Sequence, residues 1–185
     1  MKNLIFLFGL SLTMSCCNKD NDSPSNQLPQ ATTIGANTAG CLVNGKVFLP
    51  KGSSQFGPIL SCFYQQDQDG YHLGVSIVEK GSNENKSVTL STNPSQLIEN
   101  TTYSLAEKTN NGSNYNSNFG QFIINSNFTS SNQFYTTNLN IGELKITKLN
   151  TQQKIISGTF WYDAVNTVGD KVEIRDGRFD MHYVN

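Results

Sequence analysis

Charged side chains are scarce in this chain of 185 residues, and neither sign dominates. Only 15% of the residues are charged, and 13 basic against 14 acidic residues give a formal net charge of −1. A nucleic-acid-binding protein needs a basic face for phosphates, so this balance argues against nucleic acid as a partner. Neutral residues supply the polarity instead, and about one residue in eight is asparagine. The 11 phenylalanines and 7 tyrosines argue against disorder over the whole chain.

Residues that carry acid–base or metal chemistry are also few. The two histidines, His72 and His182, lie in no recognisable metal-binding or hydrolase motif, and a single strand histidine usually has a structural role. Residues 67–70 could offer oxygen ligands to calcium. Aligning their glycine with that of an EF-hand, however, puts Gln65 and Ser76 where carboxylate ligands belong. The sequence therefore predicts neither a metal nor a cofactor, and an enzyme is the less favoured interpretation.

A run long enough to span a membrane is absent too. The apolar run at residues 4–12 covers about nine residues, whereas a spanning helix needs about twenty. Lys2 before this run matches the basic start of a signal peptide. The pair Cys16-Cys17 resembles a bacterial lipoprotein signal, in which a cysteine after a small residue becomes the mature N-terminus and carries acyl chains. We predict a signal peptide over residues 1–15 and lipid attachment at Cys16. Cys17 is the alternative site, and a plain cleaved signal is the simpler alternative.

Residues 16–38 are predicted to form the lipidated N-terminus and a disordered tether, because residues 18–27 have no apolar side chain to bury. The acidic residues soon after the cysteines resemble the surface-export signal of Bacteroidota lipoproteins. No aspartate follows Cys16 directly, so the inner-membrane retention signal is missing. These features predict a cell-envelope protein held in the outer membrane by its lipid, with exposure at the cell surface as a further expectation. A generic polar spacer is the alternative.

The rest of the chain has the pattern of an all-β domain. From Gly40 onward, short β-branched and aromatic runs are separated by turn residues, with little helical periodicity. Asn44-Gly45 predicts a type I′ hairpin, because both central residues of that turn need positive φ, and Asp176-Gly177 predicts another. About ten short strands in a single domain over residues 39–185 predict an antiparallel sandwich or a partly closed barrel. Periodicity alone does not separate these two architectures.

The hairpin predicted at Asp176-Gly177 places four apolar side chains on one face. They are Val172, Ile174, Phe179 and Met181. The opposite face carries charged residues and His182. This second face is either a solvated exterior or a charged binding surface.

Two cysteines, Cys41 and Cys62, lie in predicted strands within the domain. Outside the cytoplasm they could form a disulfide. Closing a loop of about 20 residues would stabilise the fold by about 3 kcal/mol in the chain-entropy model. Two free buried thiols are the equal alternative.

Trp161, Tyr162 and Asp163 form a candidate ligand contact, because flat aromatic rings stack on the faces of sugars. The alternative is that the aromatic residues belong to the core. Residues 155–162 carry apolar side chains at both odd and even positions, which is typical of a central strand covered on both faces.

Three stretches combine turn residues with strand patterning: residues 38–48, residues 142–149, and residues 156–160 continued by 172–180. Together they resemble a family of uncharacterised Bacteroidota lipoproteins that contain a conserved domain of unknown function. The resemblance covers about residues 35–185. It implies an all-β, membrane-anchored domain, and it supplies no activity and no site residues.

The leading hypothesis is a membrane-anchored envelope lipoprotein whose β domain serves binding or architecture. Its partner would be a glycan, another envelope protein or a small ligand. A cell-surface hydrolase is the first alternative, and it requires His72 or His182 beside a carboxylate and a nucleophile. A barrel that carries a lipid or another hydrophobic ligand is the second alternative, and it requires a deep apolar cavity.

Overall fold

The computed structural model describes residues 23–54, 57–93, 95–106, 118–125 and 132–185, and this part of the chain is almost entirely β. A short 3-10 helix, Pro24–Gln27, precedes the strands. The strands are β1 (Thr38–Val43), β2 (Lys46–Phe48), β3 (Leu60–Gln66), β4 (Tyr71–Lys80), β5 (Asn85–Thr92), β6 (Thr102–Leu105), β7 (Phe119–Asn125), β8 (Gln133–Tyr135), β9 (Gly142–Asn150), β10 (Ile155–Val165) and β11 (Lys171–His182). The prediction of an all-β fold is confirmed.

These strands belong to one antiparallel sheet that curls on itself. The main path runs β2-β1-β11-β10-β8-β7-β5-β4-β3, and β9 pairs with β10 and with β6. At the end of the path, the Tyr64 amide in β3 donates to the Val184 carbonyl at 2.9 Å, and the Val184 amide donates to Cys62 at 3.1 Å. Val184 lies two residues after the end of β11, so these bonds join β3, the last strand of the path, to the segment that follows its third strand. The architecture is therefore the partly closed barrel of the two predicted alternatives.

The first predicted hairpin is confirmed. Asn44 and Gly45 have φ values of 48° and 75°, and Val43 pairs with Lys46 across the turn between β1 and β2. The two-residue Asn-Gly turn suits the twist of its flanking strands because both residues tolerate positive φ. A purely local signal was enough to predict this element.

The second predicted hairpin, at Asp176-Gly177, is wrong. Both residues lie inside β11, which pairs with β10 along its whole length. Asp176 does have a positive φ of 51°, but the register against β10 shifts between Phe160 and Tyr162, which marks a β-bulge. Pairing with β10 on one side and β1 on the other keeps β11 continuous, so the unusual backbone conformation adds a residue instead of reversing the chain.

This bulge explains why the predicted apolar face is nevertheless correct. Val172 and Ile174 occupy even positions, whereas Phe179 and Met181 occupy odd ones, yet all four are at least 96% buried. Successive strand residues point to opposite faces, so a regular strand could not bury both pairs. The extra residue at the bulge restores the phase and keeps both pairs in the core.

Side chains fill the centre of the barrel. Tyr162 is completely buried, and its hydroxyl donates to the Gln121 carbonyl at 2.6 Å. Gly120 and Gly142 lie directly against this tyrosine, because a Cβ at either position would approach Tyr162 atoms to 2.6 Å or less. Close packing therefore fills the space around Tyr162, where a lipid-carrying barrel would require a deep apolar cavity.

Cys41 and Cys62 are both free and buried. Burial raises the pKa of both thiols, to about 12 for Cys62, because an apolar environment disfavours the thiolate. Of the two alternatives that the sequence left open, the structure has the free thiols.

The N-terminal segment differs from the tether predicted to extend to residue 38. Leu28 is 94% buried, and residues 32–36 wrap around the buried carboxylate of Asp180 in β11. That carboxylate accepts five hydrogen bonds of 2.6–3.1 Å. The donors are the Thr32 and Ser157 hydroxyls and the amides of Ile34, Gly35 and Ala36. We call this cluster the Asp180 clip; it makes residues 28–37 part of the folded unit.

The Asp180 clip should make stability depend on acid pH. Burial tends to raise the pKa of Asp180, but hydrogen bonds from Thr32, Ser157, Ala36 and Gly35 outweigh it and lower the pKa to about 2. A folded-state pKa below the unfolded value contributes stability that is present above about pH 4 and lost as the pH falls towards 2. We expect Asp180→Asn to lower the free energy of unfolding at pH 7 by about 3 kcal/mol, because the amide group turns a donor towards donors.

Urea denaturation between pH 2 and 7 measures this effect. The acid-dependent loss of stability should be smaller in Asp180→Asn than in the unmodified protein. Asp69→Asn changes an exposed aspartate in the β3–β4 loop and should shift stability by less than about 0.5 kcal/mol. Equal stability of the two variants would contradict a structural role for the clip.

Candidate functional site

An open groove of about 470 Å³ crosses the outer face of β6, β9, β10 and β11. Strand register explains its composition, because Thr102, Lys145, Thr159 and Arg178 lie opposite one another on successive strands. The neighbouring row contains Glu143 and Trp161. Ala31, from the segment held by the Asp180 clip, adds to the wall. The groove therefore combines three strand pairings with a piece of the N-terminal segment.

Trp161 is the aromatic residue on the groove surface, and its ring is held in place. It is partly buried, and its indole N–H donates to Glu143 Oε2 at 3.3 Å. The Arg175 guanidinium carbon lies 5.5 Å from the ring centroid, which is within the range of a cation–π contact. The ring thus has two polar neighbours that fix its orientation.

Arg175 is positioned by a network at the end of the groove. Its guanidinium donates to the carbonyls of Tyr162 and Ile174 and forms an ion pair with Asp163. Asp163 also pairs with Lys171 at 2.8 Å. Burial tends to raise the pKa of Asp163, but the hydrogen bonds from Lys171 and Arg175 outweigh it and lower that pKa. Asp163 therefore stays ionised and anchors the arginine that covers Trp161.

The three candidate contacts Trp161, Tyr162 and Asp163 are thus divided between different environments. Trp161 lines the groove, Tyr162 fills the core, and Asp163 lies beside the groove in ion pairs. Alternation along β10 enforces the separation of the first two. The ligand contact remains a prediction for Trp161, while the core interpretation describes Tyr162.

The bulge in β11 shapes the floor of the groove opposite Trp161. Gly177 lies on the Phe160 ring, and a Cβ at this position would come within 2.4 Å of a ring carbon. The adjacent Asp176 is exposed and lines the groove. A residue with a side chain could not lie as close to Phe160, so the glycine allows the β11 backbone to pack directly on the Phe160 ring at this point.

Charged side chains of both signs line the groove without pairing to each other. Besides Arg175, which pairs with Asp163, they are Glu143, Lys145, Asp176 and Arg178, and none of these four forms an ion pair with another residue in the described ranges. Arg178 donates to the carbonyls of Asp176 and Pro29. The groove thus offers donors and acceptors around one aromatic ring.

Sequence reasoning did not single out Glu143 and Lys145 as site residues, although part of the signal was present. Glu143 and Lys145 alternate with the buried Leu144 and Ile146, so their outward direction follows from the pattern of β9. Their position beside Trp161 required the β9–β10 register. Arg178 is one of the charged residues on the polar face predicted for the Asp176-Gly177 hairpin, but its place in the groove depends on β11 being a continuous strand with a bulge.

The two histidines lie outside the groove lining. His72 Nε2 is 2.7 Å from Asp67 Oδ1, which also accepts from the amides of Asp69 and Gly70, and the hydrogen bond from His72 lowers the pKa of Asp67. This arrangement closes the β3–β4 loop that was considered for calcium. Within the part of the chain that the structure describes, no three His, Cys, Asp or Glu side chains are grouped to hold a metal ion.

His182 belongs to the region of the Asp180 clip. Its ring lies against the Gly35 backbone, where a Cβ would come within 2.4 Å of it, and its amide donates to Asn37 Oδ1 at 2.9 Å. These contacts hold the N-terminal segment against the end of β11.

The fold and the groove define an all-β domain with an open, polar groove on the outer face of a partly closed barrel. Residues 69–181 match the family model of a domain of unknown function (DUF6252), which covers more than half of the chain and all the groove strands. The protein belongs to this family, and the predicted resemblance to a conserved domain of unknown function is confirmed. No curated protein and no solved structure matches the chain. Among the described residues, no helix has the length and apolar character needed to cross a membrane.

The division between groove and core predicts stability losses of different size for substitutions at two neighbouring residues. Tyr162→Phe removes the buried bond to the Gln121 carbonyl and should lower the free energy of unfolding by about 1 kcal/mol. Trp161→Phe changes a partly exposed side chain and should cost less. Urea denaturation followed by circular dichroism measures both costs. A larger loss for Trp161→Phe would contradict the assignment of these residues to opposite faces of β10.

Proposed function

We propose that this domain is a binding module that holds a glycan in the groove around Trp161. The observation that carries the proposal is an oriented, partly exposed indole ring surrounded by polar and charged side chains on an open groove. A sugar ring presents apolar C–H faces that can stack on an aromatic ring, and hydroxyl groups that need donors and acceptors at its edge. Glu143, Lys145, Thr159 and Arg178 supply such groups.

Size and charge support this ligand class. The groove volume of about 470 Å³ lies within the usual range for small-ligand sites, and the groove is open rather than enclosed. Its charges have both signs, whereas a nucleic-acid groove would require a basic surface. A neutral or weakly charged polymer fits a groove whose Lys145, Glu143 and Arg178 form no ion pairs with other described residues.

The proposed module is held at the outer membrane as a lipoprotein. The support is the sequence pattern at residues 1–17, where a basic residue, a short apolar run and two cysteines follow in order. Two or more acyl chains on one cysteine would give stable anchoring, since a single chain binds a membrane only marginally. Acidic residues after the cysteines support exposure at the cell surface.

Intrinsic fluorescence tests glycan binding directly, because Trp161 is the single tryptophan of the chain. A glycan array would select oligosaccharides, and titration with the strongest of them should change the Trp161 emission saturably. Lys145→Gln should weaken binding about tenfold, since it removes one charged hydrogen-bond donor from the groove.

Lys154→Gln is the matched control, because Lys154 lies in the turn between β9 and β10 and outside the groove lining. Its affinity should equal that of the unmodified protein. Absence of any saturable glycan, or equal affinity of the two lysine variants, would contradict the proposal.

Labelled palmitate tests the anchor. Expression in a bacterium with lipoprotein processing should label the unmodified protein, and Cys16→Ala should abolish the label because the acyl-bearing residue is gone. Cys17→Ala should keep it. Loss of label only in Cys17→Ala would move the attachment site to Cys17. Absence of label in the unmodified protein would refute lipidation.

A further inference from the structure

We propose a second ligand site in the cleft between β2 and the inner faces of β4, β5 and β7, which binds a fatty-acid-type amphiphile with its carboxylate at Lys46. The cleft has a volume of about 420 Å³ and is separate from the Trp161 groove in every lining residue. This inference is independent of the proposed glycan site.

Phe48 and Phe122 line the deep end of the cleft, and they join it to apolar side chains of the core. Phe48 on β2 meets Phe122 on β7 edge to face, with ring centroids 6.3 Å apart. Val88 on β5 lies opposite Phe122, and Ile77 on β4 lies opposite Val88. All four are at least 96% buried, so the cleft ends on the packed core of the barrel.

Two residues further along each strand, the inward faces change from apolar to charged. Residues two apart share a face, so Lys46 lies above Phe48, Lys86 above Val88 and Glu79 above Ile77. On β7 the corresponding residue is Ile124, which pairs with Lys86 across the sheet. The cleft therefore has an apolar floor, one apolar wall and a charged rim.

One of the two lysines at the rim has no ion-pair partner among the described residues. Lys86 pairs with Glu84 at 2.7 Å, and Glu79 lies 3.8 Å from Lys51. Lys46 forms no ion pair with any residue of the described ranges and is exposed at the mouth of the cleft. An apolar cleft beside an unpaired ammonium group is complementary to a molecule with one anionic end and one hydrocarbon chain.

The partly buried apolar residues of the cleft show where the hydrocarbon chain of the proposed amphiphile would lie. Its chain would cover Val43 and Ile124, which are only partly buried, and would end on the Phe48–Phe122 pair. Each methylene group removed from water adds to the affinity, so a short hydrocarbon chain is sufficient for binding. The filled barrel centre limits the ligand to this cleft, in contrast to a carrier that encloses its lipid.

Isothermal titration calorimetry of the purified protein, with probes below their micelle concentrations, tests the site. Decanoate should bind with one site per chain, and decyltrimethylammonium, with the same chain and the opposite charge, should bind at least about tenfold more weakly. Lys46→Glu should reverse this preference, because the rim then presents a carboxylate. Equal binding of the two probes, or an unchanged preference in Lys46→Glu, would overturn the proposal.

Two matched variants locate the binding. Lys145→Glu makes the same charge change in the Trp161 groove and should leave decanoate affinity unchanged. Ile124→Gln should weaken binding about tenfold, whereas Ile123→Gln, on the opposite face of β7, should leave it unchanged. Circular dichroism melting confirms that each variant is folded, and the exposed Lys46 variant remains decisive if Ile124→Gln fails to fold. Absence of decanoate binding would show instead that the cleft is a solvated end of the barrel. A dimer that dissociates in Lys46→Glu would show instead that the cleft is an interface between copies of the chain.

Discussion

Alternation of side chains along β11 is the constraint on which both the core and the groove depend. The strand must bury Val172 and Ile174 before the bulge and Phe179 and Met181 after it. One extra residue reconciles the two halves, because it shifts the phase without ending the pairing to β1 and β10. The same extra residue leaves backbone opposite Trp161, so the irregularity that completes the core also opens the groove. Core packing and the shape of the groove are therefore consequences of one local departure from regular β structure.

Local turn chemistry could be read from the sequence only where no neighbouring strand competes with it. Asn44-Gly45 joins an edge hairpin, and its positive φ values reverse the chain as predicted. Asp176-Gly177 carries the same signal, but strands on both sides hold it in the sheet. All-β architecture follows from strand patterning, whereas sandwich and barrel differ only in long-range pairings such as that of Tyr64 with Val184. The groove residues likewise depend on register, which no single strand reveals.

The Asp180 clip shows how a carboxylate on a predicted polar face can become a buried structural element. Its five donors satisfy the charge without a cation, and three of them are backbone amides whose presence no side-chain pattern reveals. The sequence at residues 28–37 has too few apolar residues to predict packing on the domain. Hydrogen bonding to one buried aspartate compensates for that lack, and it places Pro29 and Ala31 beside the groove.

The position of the clip also determines how the molecule responds to mechanical load. A pull on the chain before residue 23 reaches the buried Leu28 and then the Asp180 hydrogen bonds before it reaches β1. The clip is a small set of short-range bonds, whereas β1 is held by pairing to β11 and β2. Traction would therefore release the N-terminal segment first and leave the barrel closed. Because that segment contributes Ala31 to the wall of the groove, the first structure lost under tension is a part of the groove wall.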